Sequence, residues 1–473
     1  MDAQSQSQLN EALLNGVRNG SIAEIQSLLD RHADIHARGQ YNDTPLHLAS
    51  FEGHHQCIEL LLDRHADIDS RTQFYDTPLH HASTNGHHQC IELLLDRHAN
   101  INALGYNNNT PLHYASLSGH HQCIELLVDR HADINALGYN NNTPLHNASM
   151  NGHHQCIELL LDRHANANAL DMNNNTPLHL AVMGCHHQCV ELLLDRHADI
   201  DGLDDENNTP LHLASMEGHH QCVELLLDRH ADIHALDINN YTPLHLASME
   251  GHHQCLELLL DRHADINAVD ASNGAALHHA SIDGHHQCIE LLLDRHADIN
   301  AADEDNNTPL HHASRSGHHQ CIELLLDRHA DINAPNAYFG TPLHHASLEG
   351  HHQCVELLLD LHANIHAIDI ATYTPLHCAS RNGHHQCMEL LLDRHADINA
   401  IDTQMYSPLH LASRNGYHQC VELLLDRHAD IHARTQDNYT PLHVASRKAH
   451  RQCVELLIDH CADKSLCDVR ARY

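Results

Sequence analysis

The 473-residue chain has no tryptophan and only three phenylalanines, and aromatic residues make up 3% of it. An aromatic core is therefore excluded, and burial must rest on Leu, Ile, Val, Ala and Cys. Long apolar runs are also missing. No stretch reaches the roughly 18 apolar residues that a membrane-spanning helix needs. The opening MDAQSQSQLNEALL has no basic segment leading into an apolar one, so no secretory signal is expected there. Basic residues are scarce: 25 Lys and Arg stand against 63 Asp and Glu, a formal charge of −38. Phosphate-rich nucleic acid is an unfavourable partner for such a chain.

Histidine and cysteine, by contrast, are abundant. Protonating all 59 histidines would move the charge from −38 to −38 + 59 = +21, so it changes steeply near a pH of about 6.5. The 17 cysteines, with no secretory signal before them, are expected to stay reduced. That places the protein in the cytoplasm, with the nucleus also open.

A chain of this length exceeds one ordinary core, and its subdivision is visible as a repeat. The string T-P-L-H opens at Thr44, Thr77, Thr110, Thr143, Thr176, Thr209, Thr242, Thr308, Thr341, Thr374 and Thr440; variants open at Ala275 and Ser407. Every step is 33 residues, without insertion. One step upstream, the segment from Glu11 keeps the register but lacks T-P-L-H. The expected plan is an N-terminal tail (1–10), a capping unit (11–43), twelve internal units (44–439) and a C-terminal capping unit (440–473). The end units carry Asn10, Glu11, Asn15, Arg18 and Asn19, and Lys464, Arg470 and Arg472, as suits units with one neighbour each.

Within a unit, Thr44 is a helix cap and Pro45 fits the first helical turn. Gly53 closes a short first helix. The following HHQCIELLLD forms a second, with Cys57, Ile58, Leu61 and Leu62 at helical spacing. Small Ala49 and Ser50 allow close helix approach.

The whole unit, TPLHLASxxGHHQCIELLLDRHADINA, resembles the ankyrin repeat over almost the entire chain. The resemblance implies an all-α-type solenoid of 14 units of 33 residues, each a helix-turn-helix with a β-hairpin-like loop, curved with a concave binding face. Two family glycines are replaced. After the second helix stand His65, His98, His131 and on through His428. At the loop tip stand Asn42, Asn108, Asn141, Asn174, Asn207, Asn240, Asn273, Asn306 and Asn438. Both places normally require positive φ, which Asn and His tolerate better than most residues, so the backbone is expected to survive at local cost.

His54 and Cys57 lie three apart, with His47 near, and the set recurs along the chain; zinc asks for four such ligands in a tetrahedron. Against metal, both histidines match framework positions of the family, Cys57 sits on the buried side, and ligands do not pair from two segments. The structural role is favoured, with a metal- or pH-responsive array as the alternative. Rows of His55 and His65 equivalents are expected about 10 Å apart, and their charging below a pH of about 6 to loosen the array. No phosphate loop or nucleophile motif is present. Cys185, Cys378, Cys461 and Cys467 fall outside the cysteine row and have no evident activating partner. Neither an enzyme nor a cofactor is expected.

Variation between units concentrates at a few positions. The seventh residue after the Thr reads Phe51, Thr84, Leu117, Met150, Met183, Met216, Met249, Ile282, Arg315, Leu348, Arg381, Arg414 and Arg447. Loop positions vary too, with Tyr106, Tyr139, Ile238, Tyr241, Tyr338, Ile370, Tyr373, Tyr406 and Tyr439. By resemblance these sites line the concave face and loop tips. Met150, Met183, Met216 and Met249 form an adaptable apolar stripe. Arg315, Arg381, Arg414 and Arg447 form a basic strip suited to carboxylates. Tyr241, Tyr373 and Tyr406 fit an interface rim. The expected function is a non-catalytic, monomeric scaffold or adaptor for a protein partner, without membrane insertion. A host-directed effector and a plain spacer are variants of the same fold. The resemblance further implies hydroxylation as a modification received at Asn135, Asn267, Asn300, Asn333 or Asn399.

Overall fold

In the computed structural model, which describes residues 3–460, 28 α-helices follow one another in successive packed pairs. The pair Pro45–Glu52 and His55–Asp63 shows the plan. The first helix buries Pro45 through Ser50, since it lies between its neighbours; the second buries only the face carrying Cys57, Ile58 and Leu61. Each such Leu or Ile taken fully from water contributes about 1.5–3 kcal/mol, and much of that burial exists only once a neighbouring pair is stacked on. The chain divides into two compact halves, Met1–Ile238 and Asn239–Tyr473, with the same internal plan.

The helix starts follow from T-P-L-H. Thr44 has extended backbone (φ −88°, ψ 167°), and its hydroxyl accepts from the His47 backbone N–H. The His47 ring reaches back, its Nδ1 accepting from the Thr44 N–H at 3.1 Å. This is a capping box with histidine in the place usually taken by Glu or Gln. The helix ends at Gly53, left-handed at φ +77°, as expected.

The replaced glycines keep the family backbone. His65, His98 and His131 have φ of +66°, +69° and +68°, and Asn42, Asn108 and Asn438 have +63°, +62° and +68°. The loops keep a hairpin-like course without strands. Among the described residues the only bridge joins Val269 and Ala275. Successive loops are joined by single backbone bonds instead, such as Met172 N–H to Asn140 O at 2.8 Å. Asn135 and Asn300 serve the same joints, their side-chain oxygens accepting from the backbone of Asn166 and Asp331.

One boundary is corrected. The segment read as an N-terminal tail, residues 1–10, belongs largely to the helix Ala3–Arg18. Leu9 is buried, Gln6 donates to His32 O at 3.0 Å, and Asn10 accepts from Asp34 N–H at 2.9 Å. The polar run thus extends the first helix over the loop of its own unit. Lys464, Arg470 and Arg472, with Cys461 and Cys467, lie outside the described residues.

Where the loop tip has neither Gly nor Asn, the same left-handed geometry is imposed on residues that resist it: Tyr75, Phe339, Thr372 and Met405. Thr372, β-branched at φ +61°, is the most strained by type. The substitution Thr372→Asn is expected to raise stability by about 1 kcal/mol, seen as a higher urea midpoint. A midpoint that falls would show that the Thr372 side chain supplies more than the strain removes.

Candidate functional site

The histidines that suggested metal sites are tied into the joints between units. In the T-P-L-H row, Nδ1 accepts within the unit, so Nε2 carries the proton and donates forward. His47 reaches Asp76 O at 3.0 Å, His113 reaches Asn142 O at 3.0 Å and His146 reaches Asn175 O at 3.1 Å. The first histidine of G-H-H points the other way. His87 Nε2 donates to Phe51 O at 2.9 Å and His186 to Met150 O at 3.0 Å, each at the end of the preceding unit's first helix. Its ring covers that unit's glycine: a Cβ on Gly53 would stand 2.6 Å from the His87 ring. Tyr417 covers Gly383 in the same manner. Cys57, Cys90 and Cys123 lie in the core, and burial pushes the thiols of Cys90 and Cys123 up to about 11. The set His47, His54 and Cys57 therefore does not converge. No group of three or more His, Cys, Asp or Glu among the described residues is placed to hold a metal ion.

A second buried polar row follows T-P-L-H in some units. His279 Nε2 meets Asp270 Oδ2 at 2.8 Å, and His312 meets Asp303 at 2.8 Å. His278 and His312 stand edge to face at 5.7 Å, as do His311 and His345 at 5.4 Å. Imidazoles here take the packing role that the missing aromatics would fill.

The variable first-helix position is exposed in some units and half-buried in others. Met150 and Met183 stand open in the first half, beside Phe51 and Leu117 at the same position in earlier units; Met216 and Met249 are half-buried. Arg315, Arg381, Arg414 and Arg447 are exposed and all lie in the second half. The tyrosines divide. Tyr373 and Tyr406 are half-buried, and the guanidiniums of Arg381 and Arg414 lie over their rings at 5.8 and 5.7 Å; Arg447 lies over Tyr439 at 5.5 Å. The same rings lie near the framework histidines His377, His410 and His443, with centroids 5.6, 5.6 and 6.0 Å away. Tyr241 lies near two histidines, His245 at 6.0 Å and His279 at 5.2 Å. Arg315 has no such tyrosine, because Asn307 precedes its unit's Thr308. Tyr106, Tyr139 and Tyr338 are exposed, as are the loop rings Tyr41, Phe74, Tyr75 and Phe339.

A further row escaped the sequence reading. Leu104, Leu137, Leu170, Leu203 and Leu236, in five consecutive units of the first half, are each between 47% and 56% exposed. They follow the Ala (or, at Leu203, Gly) that ends the loop's first turn. The available signal was an aliphatic residue recurring inside a loop otherwise made of Asn, Asp and Gly.

The family model described as ankyrin repeats (3 copies) matches residues 64–138, 133–204, 196–270, 267–336, 334–402 and 400–468, and the single ankyrin repeat model matches 41–73. A search of curated proteins found no match. No helix among the described residues is long and apolar enough to cross a membrane.

The buried T-P-L-H row gives the stability of the array a pH dependence of its own. Desolvation lowers His113, His278 and His410 to about 4 and His47 to about 3, against an unfolded value near 6.5. Because the folded values are depressed, the unfolded chain binds more protons between pH about 6.5 and 4. The stability these residues carry is complete above that window and is lost as pH falls through it. The protein should melt roughly 10 °C lower at pH 5.5 than at pH 7.5. Equal melting temperatures in calorimetry would refute this.

Proposed function

The chain belongs to the ankyrin repeat family, and we propose on that premise that it is a non-catalytic scaffold or adaptor whose partner is another protein. Ankyrin repeats are generally protein–protein interaction modules, and arrays of them are typically not enzymes. The partner docks on the face made by first-helix ends and loop tips, the concave side by family resemblance. The single observation that carries this placement is the contrast between rows. Framework histidines, threonines and glycines are committed to the joints, while Met150, Met183, the Arg row and rings such as Tyr106 and Tyr139 are open to solvent and differ from unit to unit. Met150 and Met183 supply deformable apolar contact in the first half. Arg381, Arg414 and Arg447 supply directed charge in the second. The protein works in this reading as a cytoplasmic monomer.

Replacing Met183, Met216, Arg381 and Arg414 together by Gln changes side chains that are exposed or half-buried, so the helical signal should be retained. Capture of the partner from native cytosol should fall at least tenfold relative to the intact array. Undiminished capture would move the docking face elsewhere on the molecule.

A further inference from the structure

The arginines of this acidic chain fall into two classes. Those that follow the second helices are neutralised across the joints: Arg97 pairs with Asp63 at 2.9 Å, Arg328 with Asp294 at 2.6 Å, Arg427 with Asp393 at 2.7 Å. Arg381, Arg414 and Arg447 on three successive first helices are not. Among the described residues none of these three has a carboxylate within ion-pair distance, and each is held over a tyrosine ring. A guanidinium stacked on a ring loses rotational freedom while its N–H edges stay open, which prepares it for a planar, two-pronged acceptor. Between the last two lies a cleft of about 190 Å³ that also presents Lys448. On a chain of formal charge −38 such an unneutralised row marks a place for carboxylates.

The spacing narrows the ligand. First helices of neighbouring units pack about 8–10 Å apart. A polyproline II segment rises about 3.1 Å per residue with three residues per turn, so every third side chain lies on one face about 9 Å from the last. A β-strand places side chains on one face about 6.6 Å apart and falls out of step with the row. We propose that Arg381, Arg414 and Arg447 form a ladder for a partner segment in polyproline II conformation bearing Asp or Glu at every third residue, one carboxylate per guanidinium. The proposal rests on the scaffold reading and names the chemistry of its partner.

The test uses the full chain and a fluorescent peptide with Glu at every third position and Pro between, followed by anisotropy. The peptide should bind saturably, and its Kd should rise with salt. Gln in place of Glu, or Glu at every second position, should weaken binding at least tenfold. So should the triple variant R381Q, R414Q, R447Q, checked for unchanged circular dichroism. Absent binding, equal binding of the Gln peptide or an unaffected triple variant would overturn the ladder. Indifference to Glu spacing would overturn the polyproline II geometry, and stronger binding of a single-stranded oligonucleotide would overturn the choice of a peptide. Any of these leaves the scaffold reading standing if the intact array still captures a partner from cytosol; failure of that capture leaves the peptide result readable on its own.

Discussion

The structure depends on one ring used twice. The T-P-L-H histidine accepts at Nδ1 from the N-cap of its own helix and donates from Nε2 to the last loop carbonyl of its unit, the residue just before the next N-cap. The first bond fixes where a helix begins; the second fixes how the next unit stacks on it. Local and long-range order are thus closed by the same side chain, and only the neutral Nε2–H tautomer can do both. The G-H-H histidine closes each joint from the opposite direction, sealing a helix-end carbonyl with its nitrogen and a glycine with its face. Helix ends otherwise leave such carbonyls unmatched, and burying them without a partner is costly. A chain without tryptophan can stack this way because imidazole supplies both a flat ring and two directed polar atoms.

Charge is handled by the same joint logic. The Asp that ends one second helix meets the Arg that follows the next, unit after unit, as with Asp96 and Arg130 at 2.8 Å. These pairs are half-exposed and each contributes about 0–1 kcal/mol, so they tune rather than create the stack. Their larger effect is to neutralise acidic side chains that would otherwise repel across the joint. Where Leu361 replaces the Arg, the fold continues without that pair, as expected if burial rather than charge holds the units together.

Much of this was legible in the sequence because the repeat fixes geometry through chemistry. The His65 and Asn42 rows were identified as positive-φ positions from the family glycines they replace, and both are left-handed. Thr44, Pro45 and Gly53 marked helix ends correctly for the same reason: each has one local geometry it favours. What was not legible depends on distance in space. The Arg381 and Tyr373 side chains are eight residues apart, and no local rule joins them; the helix start between them folds one over the other. The polar run before Leu9 looked like a tail because its helix is stabilised by contacts to His32 and Asp34, more than twenty residues away. The His47 row was read as framework, yet its depth, which decides its pKa, appears only when neighbouring units cover it.

Because every joint is closed by the same committed groups, few positions in a unit can change without disturbing a neighbour. Exchanging His47 strands a cap and a carbonyl; giving Gly53 a side chain collides with His87. Exchanging residue 51 or its equivalents leaves both hydrogen bonds in place, since the joint is bonded there through the backbone carbonyl. Variation is therefore channelled to side chains that project from fixed carbonyls at a fixed repeat spacing. That is why Phe, Leu and Met in the first half and Arg in the second can stand on one scaffold without altering it. In a linear array the contacts of successive units add nearly independently. On the docking reading proposed above, such a surface is read one unit at a time, and specificity resides in the order of the row rather than in any single side chain.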